Sequence, residues 1–311
     1  MKTLCFLVAM GMLISLSAQT PLNKASECFD LYDAKQYQAA LKCADGKIKN
    51  DSMLVEAYIA KGMALIELKK YQEAYDAYSL GIQRTGVKNE LINHRGVFLL
   101  SLQEFDAAIK DLSIAYEYAP DDTLKRFALV NRAAAYMSIR QFEMAYDDLL
   151  AAVKLDSSDV SAYINLGVIA DEIGKGELTL KYYEKALSLD STQMMVYVNI
   201  GFKYQLDGQH DKAIKCFNKV LEADPNDGVA YNNRGYSKMM TGDLKGAMED
   251  VNKAIKLYPA NSYAYRNRAL IYLRMDKQDK ACDDITEALN KGFTTMYGDE
   301  MEKLYNKNCL K

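Results

Sequence analysis

The sequence predicts an all-α chain of about eight helix-turn-helix units in tandem, closed by a C-terminal capping helix. Three observations carry that expectation. The 311 residues include only 4 Pro and 17 Gly, and no Trp beside 23 Tyr, which is too little turn punctuation for an all-β fold. Half of the residues are apolar and 26% are charged, the balance of a chain that buries a sizeable core. Small residues also recur at a fixed step: Gly62 and Gly96 are 34 apart, as are Gly167, Gly201 and Gly235, and Ala40, Ala74 and Ala108 keep the same interval.

In chain order, Lys2 precedes an apolar run from Leu4 to Leu16, followed by small and polar residues through Ala18 and Gln19. This is the layout of a signal peptide over residues 1–18, cut after Ala18, and the run is too short to span a bilayer comfortably. No later stretch could cross a membrane, so the mature chain is expected to be exported without a transmembrane segment. Its destination is the periplasm or the extracellular space, with outer-membrane association as a variant of either.

The repeat frame is 21–54, 55–88, 89–122, 126–159, 160–193, 194–227, 228–261 and 262–295, with one three-residue insertion at 123–125. The eighth place of a unit is small (Gly62, Gly96, Ala133, Gly167, Gly201, Gly235, Ala269) and the twentieth is nearly always Ala, so two helices must cross closely there. The fourth place is aromatic at Tyr58, Tyr163, Tyr197, Tyr231 and Tyr265. Proline after Leu257-Tyr258 ends a second helix and starts the next unit. The first unit departs from this pattern, with Lys24 and Cys28 in place of the aromatic and the small residue, so 21–54 is expected to be an atypical N-terminal repeat. The array proper is 55–295. Residues 296–311 read as one amphipathic helix, with Met301, Leu304 and Tyr305 at helical spacing, that covers the last unit.

Stretches such as YNNRGYSKMMTGDLKGAMEDVNKAIKLYP (231–259) resemble tetratricopeptide repeats, and the resemblance covers 55–291. The chain looks like the exported bacterial kind. The resemblance implies antiparallel helix pairs stacked into a right-handed superhelical solenoid whose concave groove is lined by each first helix. It also implies a scaffold or adaptor for a protein or peptide partner, not an enzyme. The competing reading is a structural envelope component that assembles through its outer faces and leaves the groove empty.

Repeats allow one sequence to show covariation with itself. Arg stands at the seventh place in four units (Arg95, Arg132, Arg234, Arg268), and those units alone have Asp at the twenty-third (Asp111, Asp148, Asp250, Asp284). Antiparallel helices bring these places face to face, so four structural ion pairs are expected. Removing one partner of such a pair strands the other charge. The same register puts Cys28 and Cys43 across one hairpin, a disulfide candidate in an exported chain, and Cys282 with Cys309 is a second candidate that staples the tail. Cys216 is left as a small buried hydrophobe.

The 39 basic and 42 acidic residues are spread evenly, which argues against nucleic acid as a partner. There is no CxxC pair, and His94 and His210 fall in different units, so no metal is expected. Phosphate-binding loops, dinucleotide fingerprints, nucleophile elbows and zinc-protease motifs are all missing, so neither cofactor nor catalysis is expected.

Asn occupies the sixth place in five consecutive units: Asn131, Asn165, Asn199, Asn233 and Asn267. A carboxamide carries a donor and an acceptor and can grip a peptide backbone bidentately. The series is similar to the asparagine ladder lining the repeat domain of O-linked N-acetylglucosamine transferase, and that similarity implies an extended polypeptide in the groove. Phe202 and Tyr236 are the candidate apolar anchors beside it.

Overall fold

A computed structural model of the chain describes residues 25–86 and 88–310. The expected signal peptide, 1–18, lies outside the described residues. These residues form two compact units, 25–176 and 177–310. The first holds α1 (Ser26–Asp33), α2 (Tyr37–Asn50), α3 (Val55–Glu67), α4 (Tyr71–Thr85), α5 (Asn89–Ser101), α6 (Phe105–Glu117), α7 (Asp122–Ser138), α8 (Phe142–Leu155) and α9 (Val160–Ala170). After a 3₁₀ turn at Gly176–Leu178 come α10 (Thr179–Leu189), α11 (Met194–Leu206), α12 (His210–Ala223), α13 (Gly228–Met240), α14 (Leu244–Leu257), α15 (Ser262–Arg274), α16 (Gln278–Asn290), α17 (Phe293–Tyr297) and α18 (Glu300–Asn308). The fold is all-α, with no strand among the described residues. Within each unit every helix packs on its sequence neighbours, and first helices also pack on first helices: α3 on α5, α5 on α7, α11 on α13 and α13 on α15.

The turn inside each repeat has one backbone requirement. The fifteenth place is left-handed in every unit, at Lys35, Lys69, Gln103, Arg140, Gly174, Gly208, Gly242 and Asp276, with φ between 56 and 92°. Five of the eight therefore place a side chain where only glycine is comfortable. The turn between repeats is built by aspartates. Asp156, Asp190 and Asp224 accept from the backbone N–H two residues on, at Ser158, Thr192 and Asn226, each at 2.9 Å. Asp121, Asp159 and Asp227 then cap the next helix, accepting from the N–H of Leu124, Ala162 and Ala230 at 2.8 Å.

Packing explains the small eighth place. A Cβ on Gly62 would sit 2.3 Å from the Tyr78 ring, on Gly96 2.8 Å from Leu112, on Gly201 2.7 Å from Phe217 and on Gly235 2.7 Å from Val251. Each of these buried side chains stands at the twenty-fourth place, so a large residue on the second helix fills the gap left by the glycine on the first. The twentieth-place alanines Ala40, Ala74, Ala108, Ala145, Ala213, Ala247 and Ala281 are all fully buried.

The tail departs from the sequence expectation. Residues 296–311 do not make one helix: Gly298, at φ 88°, ends α17 after Tyr297, and α18 starts only at Glu300. A left-handed glycine breaks the hydrogen-bond ladder that the amphipathic spacing suggests. The bend lets both pieces pack. Phe293 and Met301 are fully buried with Ala269, Ile285 and Ala288, and Phe293 stacks on Tyr263 at 5.8 Å.

Candidate binding face of the first helices

The covarying charges hold repeats together. Nε and Nη2 of Arg95, Arg132, Arg234 and Arg268 donate in bidentate fashion to Asp111, Asp148, Asp250 and Asp284 at 2.7–2.9 Å. Each Nη1 donates to the preceding repeat, to Ser79, Ser113, Asn218 and Asn252 at 2.7–3.0 Å. Sequence reasoning missed this third partner. The signal was there, since Ser or Asn stands at the twenty-fifth place of the unit before each arginine. The hydrogen bonds to Asp outweigh burial and raise the pKa of all four guanidiniums. These residues belong to the architecture and are not available to a ligand.

The cysteines form two disulfides. Cys28–Cys43 joins α1 to α2 with Cα atoms 5.5 Å apart, and Cys282–Cys309 joins α16 to the residue after α18 at 5.6 Å. Cys216 is free and half-buried, and burial pushes its thiol pKa up, away from the reactive thiolate. His94 stacks on Tyr78, and burial pushes its pKa down to about 4. Among the described residues no cluster of side chains could hold a metal ion.

The asparagine series needs correction as a uniform ladder. Asn131 and Asn267 are fully buried, Asn165 and Asn233 are buried, and only Asn199 is half-buried. Asn267 shows why: its Nδ2 donates to Asn232 on the preceding first helix at 2.9 Å, and its Oδ1 accepts from Arg266 at 2.8 Å. The sixth place there points at a neighbouring first helix, not outward. Both polar atoms of Asn131 and Nδ2 of Asn165 are buried without a partner. Asn131, Asn165 and Asn267 as they stand cannot grip a backbone from solvent.

The second unit contains a better-formed site. The two candidate anchors, Phe202 on α11 and Tyr236 on α13, line one cavity of about 160 Å³ together with Asn233, Tyr263, Arg266 and the tail residue Glu300. Arg266 Nε and Nη2 donate to the Glu300 carboxylate at 3.1 and 2.7 Å. Its guanidinium lies 4.9 Å from the Tyr263 ring centre and 5.6 Å from that of Tyr236. Burial opposes the charge of Arg266, but Tyr263 and Glu300 outweigh it and raise the pKa. Burial also raises the pKa of Tyr263 and Tyr297, so both phenols stay protonated. A second cavity of about 270 Å³ shares Phe202, Asn233, Tyr263 and Tyr297, and adds Tyr258 and Met296, which are exposed by 58% and 40%. The tail thus supplies wall to both cavities. Sequence spacing placed Phe202, Asn233 and Tyr236 on the first-helix face, but it could not join Arg266 to Glu300 across the end of the array.

Comparison with known proteins agrees with the repeat fold. Family models described as tetratricopeptide repeat match residues 55–85, 160–193, 195–227, 229–261 and 251–283. No curated protein matches the sequence. Among solved structures, a tetratricopeptide repeat protein from Parabacteroides merdae ATCC 43184 superposes with a TM-score of 0.64 at 18% identity, over 80% of this chain and 98% of its own. The Cut9–Hcn1 hetero-tetramer of the APC/C gives 0.65 at 15% identity over 96% of this chain, which spans 58% of that one. YrrB, described as a TPR protein with an unusual peptide-binding site, gives 0.51 at 20% identity over 62% of this chain and 98% of its own. At these identities the likeness speaks for the fold. With repeat matches in both units, a 34-residue helix-pair period and these structural neighbours, the chain is a tetratricopeptide-repeat protein.

Proposed function

We propose that the protein is an exported, non-catalytic interaction scaffold that holds an extended polypeptide on the first-helix face of its second unit. Tetratricopeptide repeats in general are interaction modules for protein or peptide partners. The observation that carries the reading here is the meeting of Phe202, Asn233 and Tyr236 in one aromatic-walled cavity on that face. An apolar pocket with a few convergent polar groups is the usual form of a recognition site. YrrB, the neighbour described as having an unusual peptide-binding site, supports the reading by its likeness in fold. Export is supported by two disulfides, which persist in oxidising compartments, and by the signal-like start of the chain. No helix among the described residues is long and apolar enough to cross a membrane.

Selection from a random-peptide display library tests the binding site, with the wild type beside a Phe202→Ala, Tyr236→Ala double variant of equal helicity. Peptides enriched by the wild type and lost by the double variant are the expected result. Equal enrichment by both would move binding to the outer faces and favour the structural reading.

A further inference from the structure

We propose that the paired cavities on the first-helix face of the second unit select a tyrosine side chain from the bound polypeptide, an inference that rests on the reading of that face as a polypeptide site. The argument begins with charge. The ionic side chains lining the two cavities are Arg266 and Glu300, both in the smaller one, and each neutralises the other through a bidentate pair. The larger cavity, of about 270 Å³, has no cationic or carboxylate side chain in its wall. A charged ligand side chain there would lose its hydration for nothing in return. The guest is therefore neutral.

The wall then chooses its shape. Phe202, Tyr258, Tyr263 and Tyr297 present rings to the larger cavity, and Met296 adds a thioether beside them. Tyr263 and Tyr297 already meet edge to face at 5.1 Å, which leaves ring faces and edges for a further aromatic. The polar groups refine the choice. Asn261 Oδ1 already accepts from the Tyr263 N–H at 3.0 Å, and Asn232 Oδ1 from Asn267, so these two side chains offer a guest their amide N–H donors. Ser262 is different: it lines the cavity, is 1% exposed, and its hydroxyl has no hydrogen-bond partner. A buried hydroxyl left unpaired is a standing cost that a guest with a polar tip removes. A phenol both donates and accepts, whereas Phe or Leu fills the space and leaves Ser262 Oγ stranded. Asn233 lines both cavities.

Saturation-transfer NMR with the full chain tests this, using the peptide Ac-Gly-Ser-Gly-Tyr-Gly-Ser-Gly-NH₂ and its counterparts with Phe, Leu or Lys at the centre. In the wild type the Tyr peptide binds about five-fold more tightly than the Phe peptide, the worth of one neutral hydrogen bond. Ser262→Ala removes most of that advantage and leaves Phe affinity unchanged within about two-fold. Tyr297→Ala weakens both peptides. Phe, Leu or Lys equal to Tyr in the wild type, or a Tyr advantage that survives Ser262→Ala, overturns the inference while leaving the polypeptide site in place. No binding by any of the four peptides also overturns it, and the display selection then decides separately whether the polypeptide reading stands.

Discussion

At the scale of single residues, the arginine–aspartate pairs show how the repeats are locked. Arg268 lies between Asp284 of its own repeat and Asn252 of the one before, and Asp284 is 5% exposed. Removing the carboxylate leaves a half-buried guanidinium without its counter-charge. Asp284→Ala is therefore expected to cost about 3 kcal/mol, while an Arg268→Met, Asp284→Leu double variant recovers most of the loss, because an apolar pair needs no counter-charge. Urea denaturation of the three chains checks this; a double variant no more stable than the single one would mean the pair itself is worth more than its desolvation. The pairing was legible because four units share both residues and the others have neither. The link to the preceding repeat was overlooked because Ser and Asn at the twenty-fifth place are common surface residues, and nothing in their chemistry names a partner. The asparagines failed differently. Helical spacing gives the face a residue points to but not how closely the next helix covers it, and α13 covers Asn267 through Asn232.

Among elements, the inner turn of each repeat is the point of strongest backbone demand. Gly208, at φ 71° with open space around its absent Cβ, is needed for its backbone alone. Gly46 lies inside α2, also in open space, and has no such duty. Gly208→Ala is expected to destabilise by about 1 kcal/mol, and Gly46→Ala to stabilise by about 1 kcal/mol. Urea midpoints of the two variants against wild type decide it: shifts of the same sign would show that left-handed backbone does not govern these turns. The three glycines at the fifteenth place recur every 34 residues, so this requirement was present in the sequence. It was masked by Lys, Gln, Arg and Asp at the other five positions. The tail was misread for a related reason: amphipathic spacing across Met301, Leu304 and Tyr305 is real, but Gly298 just before it overrides the ladder.

For the whole molecule, the period was legible because stacking requires the same close approach in nearly every repeat, which fixes Gly or Ala at the eighth place except at Cys28, and Ala at the twentieth except at Thr179. The site was legible only in part. Phe202, Asn233 and Tyr236 follow from repeat register, whereas Tyr297 and Glu300 enter the cavities from a tail that has no repeat to be compared with. Two disulfides stand at the edges of this architecture: Cys28–Cys43 closes the first hairpin, and Cys282–Cys309 holds the tail that walls the cavities. The most direct measurement is chemical-shift mapping of the full chain with a peptide taken from the display selection. Perturbations concentrated on α11, α13, α15 and residues 293–300, with the largest at Phe202, Asn233 and Tyr236, are the expected result. Perturbations confined to the second helices α12, α14 and α16 would contradict it, placing the partner on the outer faces and leaving the first-helix cavities empty.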